Sequence, residues 1–126
     1  MYRHHTESIE KLKEYFLPME GMIAIVLDGS IVKGNERPDS DIDALIVVTE
    51  EKYRKLAAEN RLAEVIAGHC TYEGGYFDVK YKTKAILQAS ALHASEPTRN
   101  AYVKARVLYS ADPDVAPLVE KIAAYP

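Results

Sequence analysis

Asp41-Ile42-Asp43 sets two carboxylates with one residue between them, and ten residues separate it from the pair Gly29-Ser30. On a strand, alternate side chains share a face, so these two point the same way, roughly 6.5–7 Å apart along the chain. Like charges held that close repel, and burying them is costly unless something neutralises them. A divalent cation is the usual counter-ion, and hard oxygen ligands suit Mg²⁺ or Mn²⁺. Just upstream, a Gly29-Ser30 turn lets backbone N–H groups approach a phosphate closely. Metal beside phosphate points to nucleotide chemistry, although an Asp-x-Asp alone also serves as a solvated turn or a helix cap.

These groups need a scaffold, and the sequence supplies alternating helical and extended segments. Thr6–Leu17 reads as an amphipathic helix with Ile9, Leu12, Phe16 and Leu17 near one stripe and Pro18 as its stop. Met22–Leu27 is a β-rich run ended by Gly29-Ser30, followed by a short helical turn over Ile31–Lys33 and a loop from Gly34 to Pro38. Asp41–Val48 is the second strand, continuously apolar from Ala44 as for a central strand covered on both faces. Thr49-Glu50-Glu51 opens a helix expected to run to about Ala67, with Tyr53, Leu56, Ala57, Leu62, Val65 and Ile66 facing the core. Residues 68–75 form a turn region.

Tyr76–Tyr81 alternates as a third strand, with Phe77, Val79 and Tyr81 on one face and Asp78, Lys80 and Lys82 on the other. Helices are expected over Thr83–His93 and about Thr98–Ala105, a fourth strand over Arg106–Ser110, and a last helix over Val115–Ala124. The order predicts a single α/β (α+β) domain over residues 1–126, with a mixed sheet of about four strands and helices on at least one face.

Composition bounds the function classes. With 48% hydrophobic and 28% charged residues in 126, the chain can bury a core and is not of disordered type. A formal charge of −3 argues against extended nucleic acid as the main partner, because a domain that grips phosphate backbone carries a basic face. No apolar run reaches the roughly 18–20 residues that span a bilayer, so no membrane association is expected. Cys70 stands alone and fits a reducing cytoplasm. His69-Cys70 lacks a second ligand pair at zinc spacing, His4-His5 reads as a mobile terminus, and His93 as a helix-end residue.

Leu27-Asp28-Gly29-Ser30, then Ser40-Asp41-Ile42-Asp43-Ala44-Leu45-Ile46, then Phe77-Asp78-Val79 together resemble the DNA polymerase β-like nucleotidyltransferase superfamily, in particular its small prokaryotic (minimal) members. The resemblance covers about residues 20–110 in order of elements. It implies a nucleotidyltransferase-like fold and transfer of a nucleoside monophosphate from an NTP, expected to be ATP, to a hydroxyl acceptor with release of pyrophosphate. It further implies two Mg²⁺ ions, with Mn²⁺ as a substitute, held by Asp41, Asp43 and Asp78 as metal ligands and catalytic residues. Gly29 and Ser30 would hold the phosphates, with Lys33 and Ser40 as further nucleotide-binding candidates; surface solvation is the plainer reading of Lys33, and a loop-to-strand cap is an equal reading of Ser40.

The family includes adenylylating antitoxins that act on a helical protein partner and antibiotic-modifying adenylyltransferases. The acceptor is accordingly a small molecule or a protein, and a second copy of the chain or a helical partner is expected to complete the site. An adenylylating antitoxin-type module is the expected role. The alternative from another class is a non-catalytic module of the same fold that binds nucleotide or a partner.

Overall fold

The computed structural model describes residues 1–124. Helix α1 (Arg3–Phe16) leads into strand β1 (Met22–Asp28), the short helix α2 (Gly29–Lys33) and strand β2 (Ile42–Val48). Helix α3 (Glu50–Ala58) and strands β3 (Ala63–Ala67) and β4 (Tyr76–Thr83) follow. Helices α4 (Lys84–His93) and α5 (Glu96–Tyr102), strand β5 (Arg106–Ser110) and helix α6 (Val115–Ala123) complete the order. The sheet runs β3-β4-β2-β1-β5. It is mixed: β2 and β4 are parallel, while β1 pairs antiparallel with both β2 and β5, and β3 antiparallel with β4.

The sheet has five strands rather than about four, because the segment expected to prolong the helix after Glu50 to about Ala67 divides. Leu62, Val65 and Ile66 do fit a helical stripe, but the helix ends at Ala58. Asn60 takes the left-handed conformation at φ 56°, and the Arg61 amide donates to the Leu56 carbonyl at 2.8 Å, closing the helix end. The released residues pair with β4, Val65 opposite Asp78 and Ile66 opposite Phe77. Such a strand lies at a sheet edge, where alternate residues stay in solvent and the apolar period carries little information. Val65 is 63% exposed.

Strand alternation sorts the core into two layers. Ile25, Leu27, Ile42, Ala44, Ile46, Phe77, Val79 and Tyr81 face α1 and α3 through Leu12, Phe16 and Leu56. Ala24, Val26, Leu45 and Val47 face α4, α5 and α6 through Leu87, Tyr102, Val115, Val119 and Ile122. Each fully buried aliphatic or Phe side chain contributes about 1.5–3 kcal/mol over its exposed state, and β1 and β2, covered on both faces, supply the largest share of such residues in the sheet. Caps set the helix starts: the Thr49, Thr83 and Ser95 hydroxyls accept from the amides of Lys52, Ile86 and Thr98. Among the described residues no helix is long and apolar enough to cross a membrane.

Candidate functional site

Register brings the carboxylates together. Asp28 ends β1 opposite Asp43 on β2, and Asp43 in turn stands beside Asp78 on β4. The pleat puts all three on the face of Val26 and Leu45, the side covered by α4, α5 and α6. One residue before β2, Asp41 joins them: ligand oxygens of Asp41, Asp43 and Asp78 all lie within 4.8 Å of one another. That convergence was an expectation for Asp41, Asp43 and Asp78. Asp28 stands in the motif Leu27-Asp28-Gly29-Ser30 without an expected role, and the signal that marks it is its position at the strand end directly before Gly29.

The site is a cleft of about 330 Å³ lined by Asp28, Gly29, Lys33, Asp43, Asp78 and Lys80 on the sheet side and by Pro97, Asn100 and Ala101 of α5. Gly29 has φ +77°, and a Cβ built there would come within 2.6 Å of Asp43 Cγ and closer still to Oδ2. Only glycine lets the backbone turn against that carboxylate.

Electrostatics match an acidic cluster seeking a cation. Burial pushes the Asp43 carboxyl up to about 7, helped by the charges of Asp41, Asp28 and Asp78. Burial likewise raises Asp28 to about 6, with Asp78 adding to the rise and the Lys80 and Lys33 ammoniums opposing it. Beside the cluster, the Tyr76 hydroxyl is raised chiefly by the negative charge of Asp41. An all-carboxylate donor set of this density fits a hard divalent cation such as Mg²⁺ or Mn²⁺.

A family model described as a nucleotidyltransferase domain matches residues 9–101, from within α1 to within α5, including every carboxylate of the cleft. The chain belongs to the nucleotidyltransferase domain family, within the DNA polymerase β-like superfamily. A crystal structure of a nucleotidyltransferase-like protein from Exiguobacterium sibiricum 255-15 shares the fold, with a TM-score of 0.56 at 7% identity over 95% of this chain and 39% of that one. The chain therefore spans well under half the length of that protein. A crystal structure of a toxin-antitoxin with AMP-PNP is similar with a TM-score of 0.44 at 18% identity, covering 97% of this chain and 85% of that one. No curated protein matches the sequence.

In this nucleotidyltransferase domain the other sequence candidates fall as follows. Lys33, in the last turn of α2, lines the cleft with Gly29, and Lys80 joins it from β4. Ser30 follows Gly29 in the first turn of α2, where its carbonyl accepts from the Asn35 amide at 3.2 Å. The Ser40 hydroxyl accepts from the Arg37 amide at 2.8 Å, closing the loop that leads to Asp41. His69 packs its ring against Tyr15 and Phe77. His4 and His5 form the first turns of α1 and pack on Tyr72, rather than forming a mobile terminus. Sequence reasoning missed that contact because the partner lies in a loop nearly seventy residues on, outside any local period.

Proposed function

We propose that this chain transfers a nucleoside monophosphate, AMP from ATP, to a hydroxyl on a partner protein and releases pyrophosphate, in the cytoplasm and with Mg²⁺. The observation that carries the reading is the convergence of Asp41, Asp43 and Asp78 oxygens within 4.8 Å, beside the Gly29 turn. Asp41, Asp43 and Asp78 are the residues that would hold the metal. When bound, a divalent pair supplies positive charge against the triphosphate and the entering and leaving oxygens.

The chain's own groups carry the rest. The backbone at Gly29 and Ser30 lets phosphate oxygens approach the start of α2, while Lys33 and Lys80 offer ammonium groups to the triphosphate. The acceptor oxygen bonds to the α-phosphorus as the bond from that phosphorus to the bridging oxygen breaks, and pyrophosphate leaves with the electron pair. Asp78, at the edge of the cluster toward β3, takes the acceptor's proton. A protein acceptor is our reading of the wall facing the carboxylates, where α5 contributes Pro97, Asn100 and Ala101 to the cleft.

Labelled ATP, Mg²⁺ and candidate partner proteins test this directly. Label on a partner, lost on Asp41→Asn with Asp43→Asn, is the expected result. Label on an aminoglycoside-type small molecule would correct the acceptor class. No pyrophosphate from any NTP with any acceptor, together with unchanged nucleotide binding in the double variant, would favour the non-catalytic module instead.

A further inference from the structure

Asp41 is the one carboxylate of the cluster whose backbone lies outside the sheet's ladders, although its side chain meets the Tyr76 hydroxyl of β4. The β2–β4 ladder begins at Ile42 opposite Phe77, and the β1–β2 ladder ends at Asp28 opposite Asp43, so neither reaches Asp41. Beyond the turn that Ser40 closes with Arg37, the chain at this point is fixed through the carbonyl of Ser40, which belongs to the same planar peptide unit as the Asp41 N–H. That carbonyl accepts two hydrogen bonds, from His5 Nε2 at 3.0 Å and from the Tyr72 hydroxyl at 2.6 Å. Both lone pairs are thus engaged, and rotation of the Ser40–Asp41 peptide would break both bonds at once.

The two donors come from distant elements and brace each other. His5 lies in α1 and Tyr72 in the loop between β3 and β4, with ring centroids 5.2 Å apart and edge to face. His4 packs on Tyr72 at 4.6 Å and donates from Nε2 to the Pro38 carbonyl at 2.7 Å, so the loop entering Asp41 is tied at alternate residues. A Cβ at Gly75 would lie 2.7 Å from Tyr72 Cζ, so only glycine lets the second loop fold over the tyrosine.

The state of His5 agrees. The Ser40 carbonyl can only accept, so Nε2 carries the proton, and Nδ1 is left buried without a partner. A fully buried imidazole with one unpaired nitrogen is a poor choice for packing alone, where an apolar side chain would serve better. Burial also lowers its pKa, keeping the ring neutral, and raises that of Tyr72, keeping its hydroxyl protonated to donate.

We propose that His5 and Tyr72 are positioning residues which, by donating jointly to the Ser40 carbonyl, set the Asp41 carboxylate against those of Asp43 and Asp78. The inference rests on the reading of Asp41 as a metal ligand. Groups that orient ligands in this indirect way typically cost ten-fold or more in metal affinity when lost.

Mn²⁺ titration followed by electron paramagnetic resonance tests it without any assay of turnover. Tyr72→Phe keeps the ring and deletes one donor; its Mn²⁺ Kd should rise about ten-fold. Tyr81→Phe is the matched control, since it deletes a β4 hydroxyl that donates to Glu64 of β3, and should leave Kd at the parent value. His5→Leu should weaken Mn²⁺ like Tyr72→Phe, whereas His5→Gln, which retains an N–H, should recover most of the affinity; should His5→Leu fail to fold, the Tyr72→Phe result decides. A parent that binds Mn²⁺ with unchanged Kd in Tyr72→Phe overturns the positioning role alone. A parent that binds no Mn²⁺ overturns the metal reading and this role with it.

Discussion

The backbone of Gly29 and the carboxylate of Asp43 occupy adjoining space that no third group can share: a Cβ at 29 would fall 2.6 Å from Asp43 Cγ. The turn that could receive phosphate and the carboxylate that could receive metal are thereby locked at contact distance. Gly29→Ala would impose both that clash and a left-handed φ of +77° on an L-residue. Strain at such a site costs about 1–2 kcal/mol before any clash is counted. Displacing Asp43 by an ångström should lower nucleotidyl transfer on the order of 100-fold. Thermal unfolding and steady-state rates check both, and a variant with parental rate would separate the turn from the chemistry.

A pH effect on stability follows from Asp43. Its carboxyl titrates near 7 in the folded chain, against about 4 when unfolded. As pH rises from about 4, the unfolded chain releases this proton while the folded chain retains it, so stability falls until about pH 7 and stays low above. After allowing for partial solvent access, Asp43→Asn should therefore stabilise the metal-free protein by roughly 2 kcal/mol at pH 8 and little at pH 4.5. Urea unfolding in EDTA at the two pH values measures the difference, and equal shifts at both would refute the assignment.

Metal should reverse that penalty. Mg²⁺ binds the ionised carboxylates of the folded chain and competes with protons, so its stabilising effect is expected to grow with pH. Melting temperatures with 10 mM Mg²⁺ (about that order, for a weak carboxylate site) against EDTA should differ more at pH 8 than at pH 5.5. An Asp41→Asn/Asp78→Asn variant should lose most of the difference.

Lys33 and Lys80 face the cleft from two elements. A hydrogen bond to a charged group contributes about 1.5–3 kcal/mol, so Lys33→Ala should raise the KM for NTP by roughly 10- to 100-fold. Lys80→Ala removes an ammonium that opposes the upward shift of Asp28, and is expected to weaken NTP binding as well. Nucleotide titrations against both variants would show which ammonium meets the phosphates.

Ile42 separates the framework from the chemistry. It sits between the two aspartates yet points to the opposite core, fully buried against the α1 side. Ile42→Ala should cost about 2–5 kcal/mol of stability. At temperatures where the variant remains folded, Mn²⁺ affinity should stay within a few-fold of the parent, because the carboxylates remain on their own face. Calorimetry with metal titration distinguishes this from collapse of the site.

Local chemistry made much of the protein legible from sequence. Alternation around Asp41-Ile42-Asp43 and Phe77-Asp78-Val79 declared which side chains share a face, because a strand's period of two is fixed by its backbone. Gly29-Ser30 marked a turn because glycine alone accepts its conformation without strain. Thr49 announced a helix start through a hydroxyl that accepts from the amide three residues on, whereas the Thr83 and Ser95 caps came to light only in the structure. Tertiary structure decided what depends on residues far apart in the chain. It made β3 a strand, since pairing with β4 outweighed a helical stripe that Leu62, Val65 and Ile66 also satisfy. It added Asp28 to the cluster through the β1–β2 register, and through burial it moved the Asp28 and Asp43 carboxyls toward neutral pH. It also carried His5 and Tyr72 to one carbonyl across 67 positions of sequence. Periodicity and propensity act over a few residues, whereas register, burial and cross-chain hydrogen bonds exist only once the sheet has closed.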